Sequence, residues 1–391
     1  MLAGNLGGEM RTGLEVLLTW GVPALTGKRV GLVTNPTGVD SRLRSNVDLL
    51  RGREDLKLCA LFGPEHGVRG EAQAGVQLDT CTDERTGLPV YSLYGEHHAP
   101  TAEMLDGLDA VLFDVQDVGV RYFTYLSTLL HVQRACAEAG LDLVVLDRPN
   151  PLGGRQLEGP MLEMPWVSFV GAYPLPVRHG LTLGEVARLV AAEQGLREPV
   201  VVPLEGWHRD DWYDETGLPW VQPSPNLPTL DSAVLYPGTC LIEGLNVSEG
   251  RGTTRPFELV GAPWMDPYHL LSRLEERPQP GVVYRATYFT PVASKHAGSC
   301  CGGVQLHITD REGLRPVELG LHVLAALHSL YPEQMEWVRS GNGRPFVDLL
   351  LGTDEPRRQI EAGVDVAEIT AAWEAPLHEF EERRRPYLLY K

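Results

Sequence analysis

The residues best placed to do chemistry are Glu65 and His66, in the turn Gly63-Pro64-Glu65-His66-Gly67 that directly follows the apolar run Leu58-Cys59-Ala60-Leu61-Phe62. A carboxyl group and an imidazole displayed at the end of a strand can move protons. Gly63 and Gly67 are expected to supply backbone angles that other residues resist, while Pro64 fixes its own. The same pattern also describes a tight structural turn with a solvated glutamate. More polar residues follow other apolar runs: Asn35 after residues 29–33, then Asp114, Gln116, Asp117, Arg121, Tyr122 and Tyr125 after the run that begins at Ala110, and Asp147 and Asn150 after residues 143–146. In a parallel sheet the carboxyl ends of the strands open on one side, so these side chains converge. Paired carboxylates with amides and aromatic faces suit a carbohydrate, although an Asp at a strand end can equally cap the next helix.

The elements that must position them alternate. Strands are expected at 29–33, 56–62, 89–93, 110–115, 143–147 and 199–204, and helices at 46–50, 125–139 and 182–195, with a short helix at 13–20. Gly140 closes the second of these helices. This alternation implies βαβ units and a mainly parallel sheet. The first domain is expected to span residues 1–230, near a stretch at 222–228 with three prolines in seven residues that reads as an extended linker or cleft wall. Residues 231–391 then form a smaller α+β domain, with strands at 282–289 and 303–308, a helix at 316–330 and a charged amphipathic tail.

Composition narrows the function. The 391 residues are 43% hydrophobic and 22% charged, which is the profile of a globular protein. A formal charge of -18 repels phosphates and anionic lipid, so neither nucleic acid nor a membrane surface is expected as a partner. No run of about eighteen apolar residues is present, so no membrane insertion is expected. No export signal is visible, and the chain reads as cytoplasmic as written, or as secreted or periplasmic if a leader is missing. Six cysteines in a chain of this length read as reduced thiols. Residues 21–28 resemble a phosphate loop, but the spacing is one residue too long and Arg29 replaces the Ser or Thr that would bind magnesium. Zinc-protease, serine-hydrolase and dinucleotide motifs are absent.

A second stretch, Glu243-Gly244-Leu245-Asn246-Val247-Ser248-Glu249-Gly250-Arg251-Gly252-Thr253-Thr254-Arg255, combines three glycines, two acids and two arginines with small polar residues. It is poor core material, and reads as a site or as a long exposed loop. Together with Asn35-Pro36-Thr37-Gly38, the Glu65 turn, the 113–125 block, Asp147-Arg148-Pro149-Asn150-Pro151 and Leu157-Glu158-Gly159-Pro160, it resembles the signature blocks of the bacterial exo-β-N-acetylmuramidase (NamZ-type) family. The blocks recur in order over nearly the whole chain. The resemblance implies a Rossmann-like first domain, a smaller second domain and a cleft between them that removes N-acetylmuramic acid from the non-reducing end of peptidoglycan fragments, with no cofactor. It makes Glu65 the expected general acid. The second catalytic group is left open among Asp117, Glu158 and Glu249. Arg121, Arg251 or the Arg178-His179 pair would meet the lactyl carboxylate. His66, Asn35, Asp114, Gln116, Tyr122, Tyr125, Asn150 and Asn246 complete the expected binding set. The competing readings are a hydrolase of another amino sugar or muropeptide, a non-catalytic two-domain sugar-binding protein, and a metal site of His66, Asp114 and Asp147.

Overall fold

The computed structural model describes residues 10–70 and 80–391. Its first lobe is built on a seven-stranded sheet. The strands are β1 (Arg29–Thr34), β2 (Lys57–Gly63), β3 (Cys81–Thr82), β4 (Pro89–Ser92), β5 (Ala110–Asp114), β6 (Asp142–Leu146) and, after a two-stranded hairpin of β7 (Glu158–Met161) and β8 (Pro176–Arg178), β9 (Val200–Val202). The order is β3-β4-β2-β1-β5-β6-β9, parallel except for β3. The chain leaves β1 in one direction and returns to its other side at β5, so the switch point lies between these two strands. Thr34 and Asp114 are registered across it.

Alternation along the strands explains the layers. Val33, Phe62, Val111, Phe113 and Val145 face one core, whereas Val30, Leu32, Leu61, Leu112 and Val144 face the other. The helices α1 (Gly13–Trp20) and α2 (Asn46–Arg51) bury Leu14, Leu17, Val47 and Leu50 in the second core. After α3 (Ala102–Leu105), α4 (Thr124–Ala139) and α5 (Leu183–Gln194) bury Leu126, Leu129, Val186 and Leu189 in the first. Capping boxes of Thr12 with Glu15 and Thr182 with Glu185 start α1 and α5, and left-handed glycines Gly140 and Gly195 stop α4 and α5.

The first core runs on into the second lobe. There α6 (Leu230–Thr239) leads to the antiparallel sheet β10-β12-β11, formed by β10 (Leu259–Ala262), β11 (Val282–Phe289) and β12 (Cys301–Ile308). The helix α7 (Pro267–Glu275) packs on β11 and β12, α8 (Pro316–Leu330) packs on α6 and α7, and α9 (Phe346–Leu351), α10 (Glu355–Glu361), α11 (Val366–Ala371) and α12 (Glu374–Arg384) follow. The last of these returns to the first lobe, where buried Arg384 donates to the carbonyls of Gly154, His179 and Gly180. All six cysteines are free thiols, and no helix among the described residues is long and apolar enough to cross a membrane.

The parallel sheet and the smaller second domain agree with the sequence reading. The β7–β8 hairpin and α6 were not anticipated, the latter because Pro237 and Gly238 sit inside it. Gly238 faces Gly320 of α8 at very short range: a Cβ on Gly238 would lie 1.8 Å from the Pro316 carbonyl oxygen. Gly238→Ala is therefore expected to separate these helices and lower unfolding stability by at least about 1–3 kcal/mol, whereas Gly341→Ala, with nothing within 4 Å, leaves it unchanged. Denaturant titration of both variants checks this, and equal midpoints would show that the helix contact yields freely.

Candidate active site

Glu65 stands just beyond β2, in a turn closed by the Gly67 amide donating to the Pro64 carbonyl at 3.0 Å. The unusual angles fall on His66 (φ 76°) and Gly67 (φ 78°), not on Gly63 as the sequence suggested. Gly63 is small for another reason: a Cβ there would sit 3.1 Å from the Val68 amide, inside the turn. A left-handed histidine at the third position of a hydrogen-bonded turn matches a type II geometry that normally takes glycine. The turn points the Glu65 carboxyl at the start of α4, where Thr124 Oγ1 donates to its Oε2 at 2.8 Å. The Tyr94 hydroxyl, just after β4, is a second hydrogen-bonding neighbour. Burial, then the charge of Glu65, pushes the Tyr94 phenol up to about 12, so it stays a donor. Tyr94 is set in an aromatic group with Phe169 and His98, at centroid distances of 6.0 and 6.4 Å.

Tyr125 closes the floor. Its hydroxyl bonds the Pro223 carbonyl and lies 3.5 Å from the Glu65 carbonyl; burial and then Glu65 raise its pKa far above the ordinary phenol value. Asn35, from the loop after β1, faces that hydroxyl, but its Nδ2 falls outside hydrogen-bonding geometry and is buried without a partner. Asn35 Oδ1 is held by the Thr37 amide at 3.0 Å. Next to it the loop after β5 presents Gln116 and Asp117. Gln116 Nε2 donates to the Asp117 and Pro149 carbonyls at 2.8 Å, and its Oε1 has no partner. Asp117 Oδ2 accepts from the Gly119 amide at 2.6 Å while Oδ1 is orphaned. Burial pushes the Asp117 carboxyl up to about 7, against the pull of the Gly119 and Val118 amides. Three buried polar atoms without partners in one neighbourhood are what a site awaiting a polar ligand presents.

The second lobe contributes charge. Arg251 Nη2 reaches Glu243 Oε1 at 2.6 Å, its Nε lies 3.3 Å from Glu249 Oε1, and its guanidinium covers the Phe257 ring at 5.1 Å. Burial works against the Arg251 charge, and the two carboxylates more than offset it. Lys295 holds the other oxygen of Glu249 at 3.1 Å and also donates to the carbonyls of Ile242, Glu243 and Val247. Both Arg251 and Glu243 act electrostatically on Tyr94, which hydrogen-bonds Glu65.

Other expected residues lie in supporting positions. Asp114 is buried in an ion pair with Arg148 at 2.6 Å and accepts from Asn46 at 2.8 Å. Asp147 binds the Thr182 hydroxyl, the Gly184 amide and Tyr390, capping α5. Asn150 joins the Leu181 carbonyl and the Leu152 amide, each at 3.0 Å, and Tyr122 bonds the Pro237 carbonyl. Arg121 is wholly buried and donates to the carbonyls of Pro160, Leu175 and Leu350. Glu158 Oε1 takes the Glu318 amide at 2.8 Å at the start of α8, and burial raises its carboxyl to about 7. Its strand neighbour Arg178 donates to Leu152 and Gln156 and stacks on Trp212. His179 is buried beside Arg384, which with burial brings its pKa down to about 3. Asn246 is tied to Gln334 and Glu336. Thr124, Tyr94, Glu243 and Lys295 are the members of the cluster that the sequence reading did not select. Thr124 lies inside a quoted block and Tyr94 follows a predicted strand, but nothing local marks Lys295.

No group of three metal-ligating side chains is present among the described residues. Comparison with known proteins converges on one family. The chain is 48% identical over 383 residues to the peptidoglycan β-N-acetylmuramidase NamZ of Bacillus subtilis (strain 168), covering 98% of this chain and 92% of that protein. Two crystal structures of proteins of the family DUF1343 from Bacteroides fragilis NCTC 9343 share the fold over 98% of this chain and 99% of theirs, with TM-scores of 0.90 and 0.77 at 37% and 32% identity. Residues 30–231 match the N-terminal model, and residues 234–390 the C-terminal model, of the exo-β-N-acetylmuramidase NamZ. The chain therefore belongs to the NamZ exo-β-N-acetylmuramidase family.

Proposed function

We propose that this protein is an exo-β-N-acetylmuramidase that releases N-acetylmuramic acid from the non-reducing end of peptidoglycan fragments, with Glu65 as the general acid. The observation that carries the reading is the placement of Glu65: a carboxyl oriented by Thr124 and Tyr94 at the carboxyl end of the sheet, beside the unpartnered atoms of Asn35, Gln116 and Asp117. The family membership and the activity named for the Bacillus relative support it. Breaking a glycosidic bond needs a proton for the leaving oxygen and a second carboxyl group for the sugar face. Of the three candidates for the second role, Asp117 fits best, because it acts electrostatically on Tyr125 beside Glu65, whereas Glu158, whose Oε2 is likewise unpartnered, lies at the start of α8 and Glu249 is held by Arg251 and Lys295. Arg251 is the lactyl partner in this reading, since Arg121 is wholly buried and its two terminal nitrogens donate to three backbone carbonyls.

Glu65→Gln keeps the size of the side chain but carries no proton to deliver. Turnover of a natural disaccharide is expected to fall roughly a hundredfold to ten-thousandfold, and much less with an aryl glycoside whose phenolate leaves unaided. Near wild-type rates on the disaccharide would remove Glu65 from the acid role. Binding of the sugar by unmodified protein without any turnover would favour the sugar-binding alternative.

Arg251→Ala is expected to raise KM roughly tenfold or more for an N-acetylmuraminide relative to an N-acetylglucosaminide, since a charge-assisted pair contributes on the order of 1.5–3 kcal/mol. Equal losses on both substrates would place Arg251 in support of the loop instead.

Asp117 links function to stability. Its carboxyl titrates near 7 when folded and near the ordinary Asp value when unfolded, so between about pH 4 and 7 the folded chain holds the extra proton. Stability should therefore fall as pH rises through that window. Asp117→Asn is expected to flatten this slope, to unfold at higher temperature than wild type at pH 8, and to lose turnover about a hundredfold or more. Thermal melts from pH 4 to 8 alongside disaccharide assays check both parts; an unchanged slope with full activity would refute the assignment.

A further inference from the structure

Thr124 and His131 stand two turns apart on α4 and so share one face of it. Thr124 donates to Glu65. His131 stacks instead on Phe169, with the ring centroids 6.1 Å apart and the planes at 17°. Phe169 lies in the loop between β7 and β8. Its ring is also 4.3 Å from that of His98 and 6.0 Å from that of Tyr94, whose hydroxyl hydrogen-bonds Glu65. Resting on the function proposed above, we infer that Phe169 is a positioning residue for the acid: its ring fixes Tyr94, and Tyr94 in turn holds the Glu65 carboxyl.

Phe169 is itself firmly held. The Ser168 amide donates to the Gly171 carbonyl at 3.0 Å and the Gly171 amide returns to the Ser168 carbonyl at 3.1 Å, so Phe169 and Val170 form the tip of a tight turn. The loop is anchored before that turn, where the Glu163 amide donates to the Gly352 carbonyl at 2.9 Å, and Arg344 donates to the Pro165 carbonyl and covers the Trp166 ring at 4.8 Å. Gly352 and Arg344 belong to the second lobe, so that lobe contributes to the placement of an acid that stands on the first. Behind Phe169, burial and then the charges of Arg134 and His98 lower the pKa of half-buried His131. An uncharged flat ring therefore backs the stack at neutral pH.

Ring pairs in this distance range attract beyond their buried area and limit one another's rotation. Among the described residues, Phe169 and His98 are the ring neighbours of Tyr94. His98 is exposed, so the support it gives Tyr94 depends on its own contact with Phe169. A donated hydrogen bond favours the charged form of a carboxyl, and loosening Tyr94 must raise the pH at which Glu65 gives up its proton. The role of Phe169 can thus be read on Glu65 itself.

Two measurements test this. With the β-linked disaccharide of N-acetylmuramic acid and N-acetylglucosamine, Phe169→Ala is expected to lower kcat roughly tenfold with KM little changed, as for one charge-assisted hydrogen bond lost in the transition state. Phe169→Tyr, which keeps the ring, restores turnover, and on a Tyr94→Phe background Phe169→Ala costs nothing further. An NMR titration of the labelled Glu65 carboxyl carbon, assigned with Glu65→Gln, is expected to move to higher pH by roughly half a pH unit or more in both Phe169→Ala and Tyr94→Phe. Arg251 and Glu243, the other charged groups that act on Tyr94, are left in place in every variant. Circular dichroism confirms the fold of each, and Phe169→Leu, which keeps apolar bulk without the flat face, shows the same displacement to a smaller extent. A loss confined to KM with the Glu65 titration unmoved would make Phe169 a sugar platform, and additive losses in the double variant would equally overturn the inference. The titration also separates this from the functional reading. A displaced Glu65 titration in a protein that turns over no muraminide keeps the positioning role and defeats the glycosidase, whereas turnover by the unmodified protein with a Glu65 titration that ignores Phe169→Ala does the reverse.

Discussion

The buried ion pair between Asp114 and Arg148 holds the ligand-binding edge of the sheet together. Asp114 ends β5 with no solvent exposure, receives Arg148 Nε on one oxygen and Asn46 Nδ2 on the other, and so satisfies a charge that could not otherwise remain buried. Each partner carries a second contact outward: Asn46 to Thr34 at the end of β1, and Arg148 to the Val39 carbonyl in the loop beyond. Three adjacent strand ends, β1, β5 and β6, are thereby locked at the switch point. The loops that carry Asn35, Gln116 and Asp117 spring from this lock, which explains how their polar atoms can be buried without partners and still be held in place. Such atoms favour unfolding unless the surrounding structure fixes them.

The second lobe solves a similar problem differently. Glu249 is buried, and Arg251 and Lys295 both lean on it, so one carboxylate neutralises part of two cations while Glu243 completes the balance. The result is a charged group rigid enough to face a substrate without a large net field. The network acts electrostatically on Tyr94 of the first lobe, and within that lobe the Pro223 carbonyl takes the Tyr125 hydroxyl.

What the sequence revealed and what it hid follow from the range of the interactions. The strand ends, the parallel sheet and the prominence of Glu65 were legible because each is announced locally, by an apolar run followed by Gly and Pro. Arg121 was misleading: within its block it reads as a cation for an anionic ligand, yet its partners include the Leu350 carbonyl, 229 positions away. Glu158 looked like a catalytic acid for the same reason, and its engagement with the Glu318 amide, 160 positions on, could not be read from its neighbours. Lys295 and Tyr94 were passed over because their surroundings exist only in the folded molecule. Residue type identified the candidates; the partners that each one meets across the chain are set by tertiary contact.

The turn at Glu65 shows how support and site are joined. A left-handed backbone at a non-glycine residue is disfavoured by about 1–2 kcal/mol, and here it falls on His66 as well as on Gly67. Glycine at that position would relieve the strain but would also loosen the turn, since glycine loses the most freedom on folding. With histidine, the conformation is held by the Gly67–Pro64 hydrogen bond and by burial of the side chain, and the Glu65 carboxyl is left few directions in which to point. One of them is the start of α4, where Thr124 receives it. Strain that persists beside the proposed general acid is consistent with preorganisation, in which the carboxyl is oriented before the substrate arrives and little reorganisation remains for the reaction itself.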